Sequence, residues 1–125
     1  MSSDRDPVTE QVIGAAIEVH RILGPGLLES IYQMCLCREL ELRGINYATQ
    51  VELPVTYKGY ELDCNLKMDL VLPGLLVVEL KAVEKLLPIH EAQLLTYLKL
   101  SGIRLGLLIN FNVPLLKDGI KRRIL

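Results

Sequence analysis

Apolar residues recur at helical spacing over residues 7–23, through Val8, Val12, Ala15, Val19 and Ile22, which predicts a helix with one buried stripe. Asp6 before Pro7 supplies its start, because the carboxylate can accept from the first free amides and proline has no donor to lose there. Gly24-Pro25-Gly26 stops it. A second helix is predicted over residues 27–43, with Gly44 ending it. It is apolar on one side through Leu28, Ile31, Cys35 and Leu42 and on another through Tyr32, Leu36 and Leu40, so the pattern predicts a central helix.

After Gly44 the period changes from helical to strand-like. Residues 47–57 and 60–71 are rich in β-branched and aromatic side chains and join near Lys58-Gly59; Pro73-Gly74 separates the latter from residues 75–83. Helical spacing returns over residues 88–101, through Ala92, Leu95 and Leu98, and Gly102 closes it. His90, just after Pro88, belongs to the start of that helix. Residues 104–110 form an apolar run with the length of a buried strand. The basic tail, 117–125, reads as an edge strand or a frayed end. The order α-α-β-β-β-α-β predicts an α/β fold, one mixed sheet with helices packed on it, as a single domain over residues 1–125.

Composition narrows the function classes. A chain of 125 residues that is 50% apolar offsets its ordering entropy and carries a core without a metal or disulfide staple, which excludes disorder. Fourteen basic against fifteen acidic residues leave a formal charge of -1, so any attraction to nucleic acid or anionic lipid is local. Cys35, Cys37 and Cys64 match no familiar ligand spacing and read as buried thiols of a reducing cytoplasm. The polar, acidic start is unlike a secretory signal, and no apolar run approaches the roughly 18 residues of a membrane span. A cytoplasmic protein with no membrane partner is expected.

Charge inside the predicted core is the main chemical signal. In Leu75-Leu76-Val77-Val78-Glu79-Leu80-Lys81-Ala82-Val83, alternation puts Glu79 and Lys81 on one face of a strand that is apolar on both. An ion pair is one explanation. Asp69, also amid apolar neighbours on the preceding strand, opens another: two acidic oxygen donors from adjacent strands suit a hard cation such as Mg²⁺, with Lys81 a fixed positive charge for a phosphate oxygen or an attacking water. This demands a particular hairpin. A two-residue Pro73-Gly74 turn would pair Asp69 with Val78 and send Asp69 and Glu79 to opposite faces, so a shared site requires an odd-length loop or a bulge.

Other residues are compatible with such a site and with plainer roles. Gln93 and Tyr97 are four apart and share a helix face, which either carries an amide and a phenol to the site or is an ordinary half-buried face. Glu29 shares a face with Tyr32, Leu36 and Leu40 but also sits in a first turn, where an acid complements the helix dipole. His20 lines up with Ile13 and Ile17, where a satisfied structural histidine competes with a site role.

Gly26-Leu27-Leu28-Glu29-Ser30-Ile31-Tyr32 reads as a GxxExxY signature, and the chain resembles the small bacterial and archaeal GxxExxY proteins, grouped with the PD-(D/E)XK nuclease superfamily. The resemblance runs from Val8 to Arg123. It includes Glu18-Val19-His20 before Leu23-Gly24-Pro25-Gly26, the segment from Val78 to Glu84, and Asn110-Phe111-Asn112. It implies a restriction-endonuclease-like α-β-β-β-α-β core, here with an extra N-terminal helix. In that core an acid from the first core helix, an Asp of the second strand and an E-x-K of the third surround one or two Mg²⁺ or Mn²⁺ ions.

Carried onto this chain, the catalytic positions are Glu29, Asp69, Glu79 and Lys81. Asp69, Glu79 and the carbonyl of Leu80 would hold the metal, Glu29 would bind it directly or through water, and Lys81 would orient the nucleophilic water. Gln93 to Tyr97 looks like the Q-x-x-x-Y element of the RecB-like branch, with Gln93, Tyr97 and a histidine that His20 could match lining the substrate. The implied function is phosphodiester hydrolysis on nucleic acid, DNA foremost, in repair or defence. The chain shows no basic track beyond Lys117, Lys121, Arg122 and Arg123, which suits a single strand or an end, or calls for a second copy or a partner subunit. A catalytically weak nucleic-acid accessory protein and a protein-interaction module with a structural ion-pair network remain the alternatives.

Overall fold

The computed structural model describes residues 6–125, so the first five residues of the acidic start lie outside it. Its elements are α1 (Pro7–Leu23), α2 (Glu29–Leu42), β1 (Ala48–Tyr57), β2 (Tyr60–Leu72), β3 (Leu76–Lys81), α3 (Pro88–Ser101), β4 (Leu105–Asn110), a 3-10 turn at Leu116–Gly119 and β5 (Ile120–Ile124). The expected order holds, and the basic tail completes it as a strand. The mixed five-stranded sheet runs β1-β2-β3-β4-β5, with β1 antiparallel to β2 and β2 to β3. Among the described residues no helix is long and apolar enough to cross a membrane.

The chain forms two compact units. Among the described residues, one comprises residues 6–46 with Leu80–Leu86 and Ile109–Ile120; the other comprises Tyr47–Glu79, Leu87–Leu108 and Lys121–Leu125.

In the first unit, Asp6 starts α1 as its position suggests, its Oδ1 accepting from the amides of Val8 and Thr9 at 2.8 and 3.3 Å. α1 buries Thr9, Val12, Ala15, Ala16, Val19 and His20, whereas Ile22, at the same spacing, is exposed. The apolar period outruns the surface that covers it. α2 corrects its expected central position in the same way. Only Tyr32, Leu36 and Leu40 are buried, while Leu28, Ile31, Met34 and Leu42 are exposed, because packing on one side satisfies one stripe and nothing covers the second.

The Tyr32 ring stacks on Phe111 at 4.5 Å between centroids and 9° between planes. Its hydroxyl donates to the carbonyl of Gly24 at 2.5 Å and accepts from the amide of Leu27 at 3.2 Å. Buried Asn110 acts as a splice: its Nδ2 donates to the Val83 carbonyl, and its Oδ1 accepts from the amides of Val83 and Asn112. Gly119 is packed so closely that an added Cβ would lie 2.2 Å from the carbonyl oxygen of Asn110.

In the second unit, Tyr57 pairs with Tyr60 across Lys58-Gly59, both with positive φ (50° and 77°), the geometry that suits a two-residue hairpin turn. Cys64 lies in the outer, exposed part of β2, which corrects its expected burial; Cys35 and Cys37 on α2 are partly buried. α3 buries Leu94, Tyr97 and Leu98, and an added Cβ on Gly106 of β4 would lie 2.9 Å from Leu94. His90 lies at the start of that helix as expected, and its Nδ1 accepts from the Leu87 amide at 3.0 Å.

Candidate functional site

The turn between β2 and β3 decides the site. Leu72 pairs with Leu76, Val71 with Val77 and Leu70 with Val78, so the loop holds three residues, Pro73, Gly74 and Leu75. The Leu75 amide donates to the Leu72 carbonyl at 2.9 Å, and Gly74 takes φ 74°, which glycine adopts without a Cβ penalty. Continuing this register by one step sets Asp69 opposite Glu79. The odd loop length demanded by a shared site is the one found.

Glu79 is only 4% exposed, in a strand whose residues from Leu76 to Leu80 are all buried. A carboxylate there is costly unless its oxygens are engaged. The Asp69 amide donates to Glu79 Oε2 at 2.9 Å, a charge-assisted bond that ties the two facing positions together. Asp69 itself is partly buried, and Lys81, two residues beyond Glu79 on the same strand and face, is partly buried. The Lys81 carbonyl accepts from the Phe111 amide at 2.9 Å, which fixes the end of β3.

Gln93 and Tyr97, on consecutive turns of α3, are joined by a bond from Gln93 Nε2 to the Tyr97 hydroxyl at 3.0 Å. The Tyr97 phenol is held above its ordinary range, first by burial and then by the negative charges of Glu79 and Asp69, with the Gln93 bond opposing them. That ordering brings the phenol within the field of both carboxylates. Because its oxygen accepts from Gln93, its own proton is left to donate. Asp69, Glu79, Gln93 and Tyr97 therefore form one polar group in the second unit.

The remaining candidates lie in the first unit. Glu29 is the first residue of α2 and partly buried; no side chain caps that helix start, whose N-cap is Leu28. His20, 7% exposed, bonds through Nε2 to the Val113 carbonyl at 2.8 Å. Tyr32, the last residue of the GxxExxY pattern, is a fastener of the Gly24 turn. Of the four basic residues near the C-terminal end, Arg123 is committed to an ion pair with Glu91. Asn110 and Gly119 went unassigned in the sequence, and only the dense Asn110-Phe111-Asn112 segment pointed toward them.

An oxygen-only pair with one buried carboxylate fits a hard divalent cation, which commonly takes one or two protein carboxylates and completes its shell with water and phosphate. Among the described residues no group of three or more His, Cys, Asp or Glu side chains is arranged to hold a metal. The Leu80 carbonyl follows Glu79 directly along β3.

Neither a curated protein nor a solved structure matches the chain. A family model does, that of the PD-(D/E)XK nuclease superfamily, over residues 6–123. Such nucleases generally use divalent metal ions on nucleic acid, the chemistry for which a facing Asp and Glu with a lysine two residues on are suited. By that near full-length match, and with a mixed α/β core to agree with it, the chain belongs to the PD-(D/E)XK nuclease superfamily.

Proposed function

We propose that this protein is a Mg²⁺- or Mn²⁺-dependent nuclease that hydrolyses phosphodiester bonds in DNA, of the GxxExxY kind and the RecB-like branch. The observation that carries the reading is the facing of Asp69 and Glu79 on adjacent strands, with the amide of one bonded to the carboxylate of the other. Asp69, Glu79 and the Leu80 carbonyl are the groups to hold the ion, with Glu29 a further ligand, direct or through water. The bound ion supplies charge stabilisation at the phosphate and lowers the proton affinity of water.

The chain's own residues do the rest. Lys81 offsets charge on the phosphate and orients the attacking water. Tyr97, kept protonated by its surroundings, donates a hydrogen bond to a substrate oxygen, and Gln93 holds the phenol in place for it. His20 is assigned to the substrate-lining set by the resemblance alone.

The test is incubation of the purified protein with end-labelled single- and double-stranded DNA and RNA, in Mg²⁺, Mn²⁺ or EDTA, beside Lys81→Ala. Metal-dependent cleavage lost in Lys81→Ala is the expected result. Cleavage that persists unchanged in that variant overturns the assignment, and calorimetry showing no Mg²⁺ or Mn²⁺ binding that depends on Asp69 overturns the metal reading.

A further inference from the structure

The first unit contains a cleft of about 520 Å³ between the C-terminal end of α1, the Gly24-Pro25 turn and the segment Pro114 to Lys117. Its size is within the range of small-ligand sites. Its walls are mainly apolar, with Ile17, Pro25 and Leu115 among them, and Ile17 and Leu115 are 46% and 57% exposed. Arg21 and Lys117 bring positive charge to the lining, and buried His20 contributes its ring.

Both walls are fastened to helices by side chains. On one side the Tyr32 hydroxyl grips the Gly24 carbonyl and the Leu27 amide, and the Gly24 amide donates to the His20 carbonyl at 2.8 Å. On the other, His20 Nε2 holds the Val113 carbonyl at 2.8 Å, and Asn110 and Gly119 close the loop that carries the wall. Prolines at positions 25 and 114 further stiffen it. A cleft held this way pays little ordering cost when a ligand enters.

Facing a carbonyl, Nε2 carries the ring proton, which leaves Nδ1 of neutral His20 as an acceptor. Arg21 uses Nε and Nη2 on Glu18, at 2.8 and 3.0 Å, with Nη1 outside that pair, and exposed Lys117 adds an ammonium. A mainly apolar cleft, a ring acceptor and cations beside it match a nucleobase with its phosphate.

We infer that this cleft receives one unpaired nucleotide of a nucleic-acid strand, the base between Ile17, Pro25 and Leu115, the phosphate at Lys117 and Arg21, and a base N–H on His20 Nδ1. The inference rests on the nucleic-acid reading above and adds a holding site for single-stranded substrate. It also gives the GxxExxY tyrosine a task, that of keeping one wall in place.

The experiment is fluorescence anisotropy with a labelled single-stranded oligodeoxythymidylate in EDTA, so that neither metal binding nor cleavage enters. Lys117→Ala is expected to weaken binding about fivefold and to reduce the slope of log K against log salt by about one. Leu115→Asp, a change at an exposed position, is expected to weaken it about tenfold, with a melting temperature close to that of the parent. Thymidine 5′-monophosphate titrated into ¹⁵N-labelled protein should shift amides of residues 17–25 and 113–117. Wild-type affinity in both variants, no binding by the parent protein, or shifts confined to other residues would each overturn the inference. Mg²⁺ binding unchanged in Asp69→Asn, with the oligonucleotide results as expected, would sink the metal reading and leave the cleft standing.

Discussion

Asp69 and Glu79 face each other across the β2-β3 hairpin, and the amide of the first donates to the carboxylate of the second at 2.9 Å. The bond uses the Asp69 backbone, so the Asp69 carboxylate contributes its charge without being the donor. Two acidic positions are thereby held side by side in a largely buried place, where a divalent ion would offset the charge of both.

Removing either carboxylate should therefore have opposite effects on metal binding and on bare stability. Asp69→Asn and Glu79→Gln are each expected to weaken Mg²⁺ binding by about a hundredfold in calorimetry. In EDTA, Glu79→Gln should raise the melting temperature by about 3–5 °C, because a buried charge and its repulsion are gone while an amide oxygen can still accept from Asp69. A lower melting temperature would mean that Glu79 is chiefly a structural anchor.

The Tyr97 phenol reports on the same charges. Its proton affinity is raised by burial, then by Glu79 and Asp69, so Asp69→Asn or added Mg²⁺ should bring its titration back toward the ordinary phenol range. The difference between tyrosinate absorbance titrations of the parent and Tyr97→Phe isolates this group from the other tyrosines. For stability the sign is fixed: with the folded value above the unfolded one, the contribution is present below about pH 10 and is lost as pH rises through the folded value. Tyr97→Phe should therefore lose less stability than the parent in alkaline denaturation.

Tyr32→Phe keeps the ring stack on Phe111 but removes the donor to Gly24 and the acceptor for Leu27. Unfolding in urea should show a loss of about 1–2 kcal/mol, the range for hydrogen-bonded groups left without a partner. A loss below about 0.5 kcal/mol would show that the Gly24-Pro25-Gly26 turn holds itself.

Gly119→Ala is expected to destabilise by about 3 kcal/mol or more, since the new methyl meets backbone rather than a movable side chain. Ala substituted at Gly44, where nothing lies near the added Cβ but φ is 71°, should cost only about 1 kcal/mol of backbone strain. Chemical denaturation of the two variants checks the order, and equal losses would contradict it.

The elements were legible because their signals are local. Asp6-Pro7 and Gly24 bound α1, Gly102 bounds α3, and the change of period at Gly44 marks the sheet, since capping and turn chemistry act over a few residues. The parity argument at Pro73-Gly74 was also a sequence argument: side chains alternate along a strand, so a buried Asp69 and Glu79 on one face already exclude a two-residue turn. The superfamily was legible through a resemblance carried by the segment from Gly26 to Tyr32 and by the stretch from Val78 to Glu84.

Coverage was a different matter. Which residues share a face could be read from the chain alone, because helical and strand periods follow from backbone geometry. Which faces are covered depends on the folded packing: Tyr32, Leu36 and Leu40 are buried and Leu28, Ile31 and Leu42 are not, although both stripes are apolar and regularly spaced. It alone revealed the Asn110 splice to Val83, the His20 bond to Val113 and the close fit of Gly119. Those contacts join residues 27, 93 and 9 positions apart, and no periodic pattern encodes which distant segments come to lie side by side.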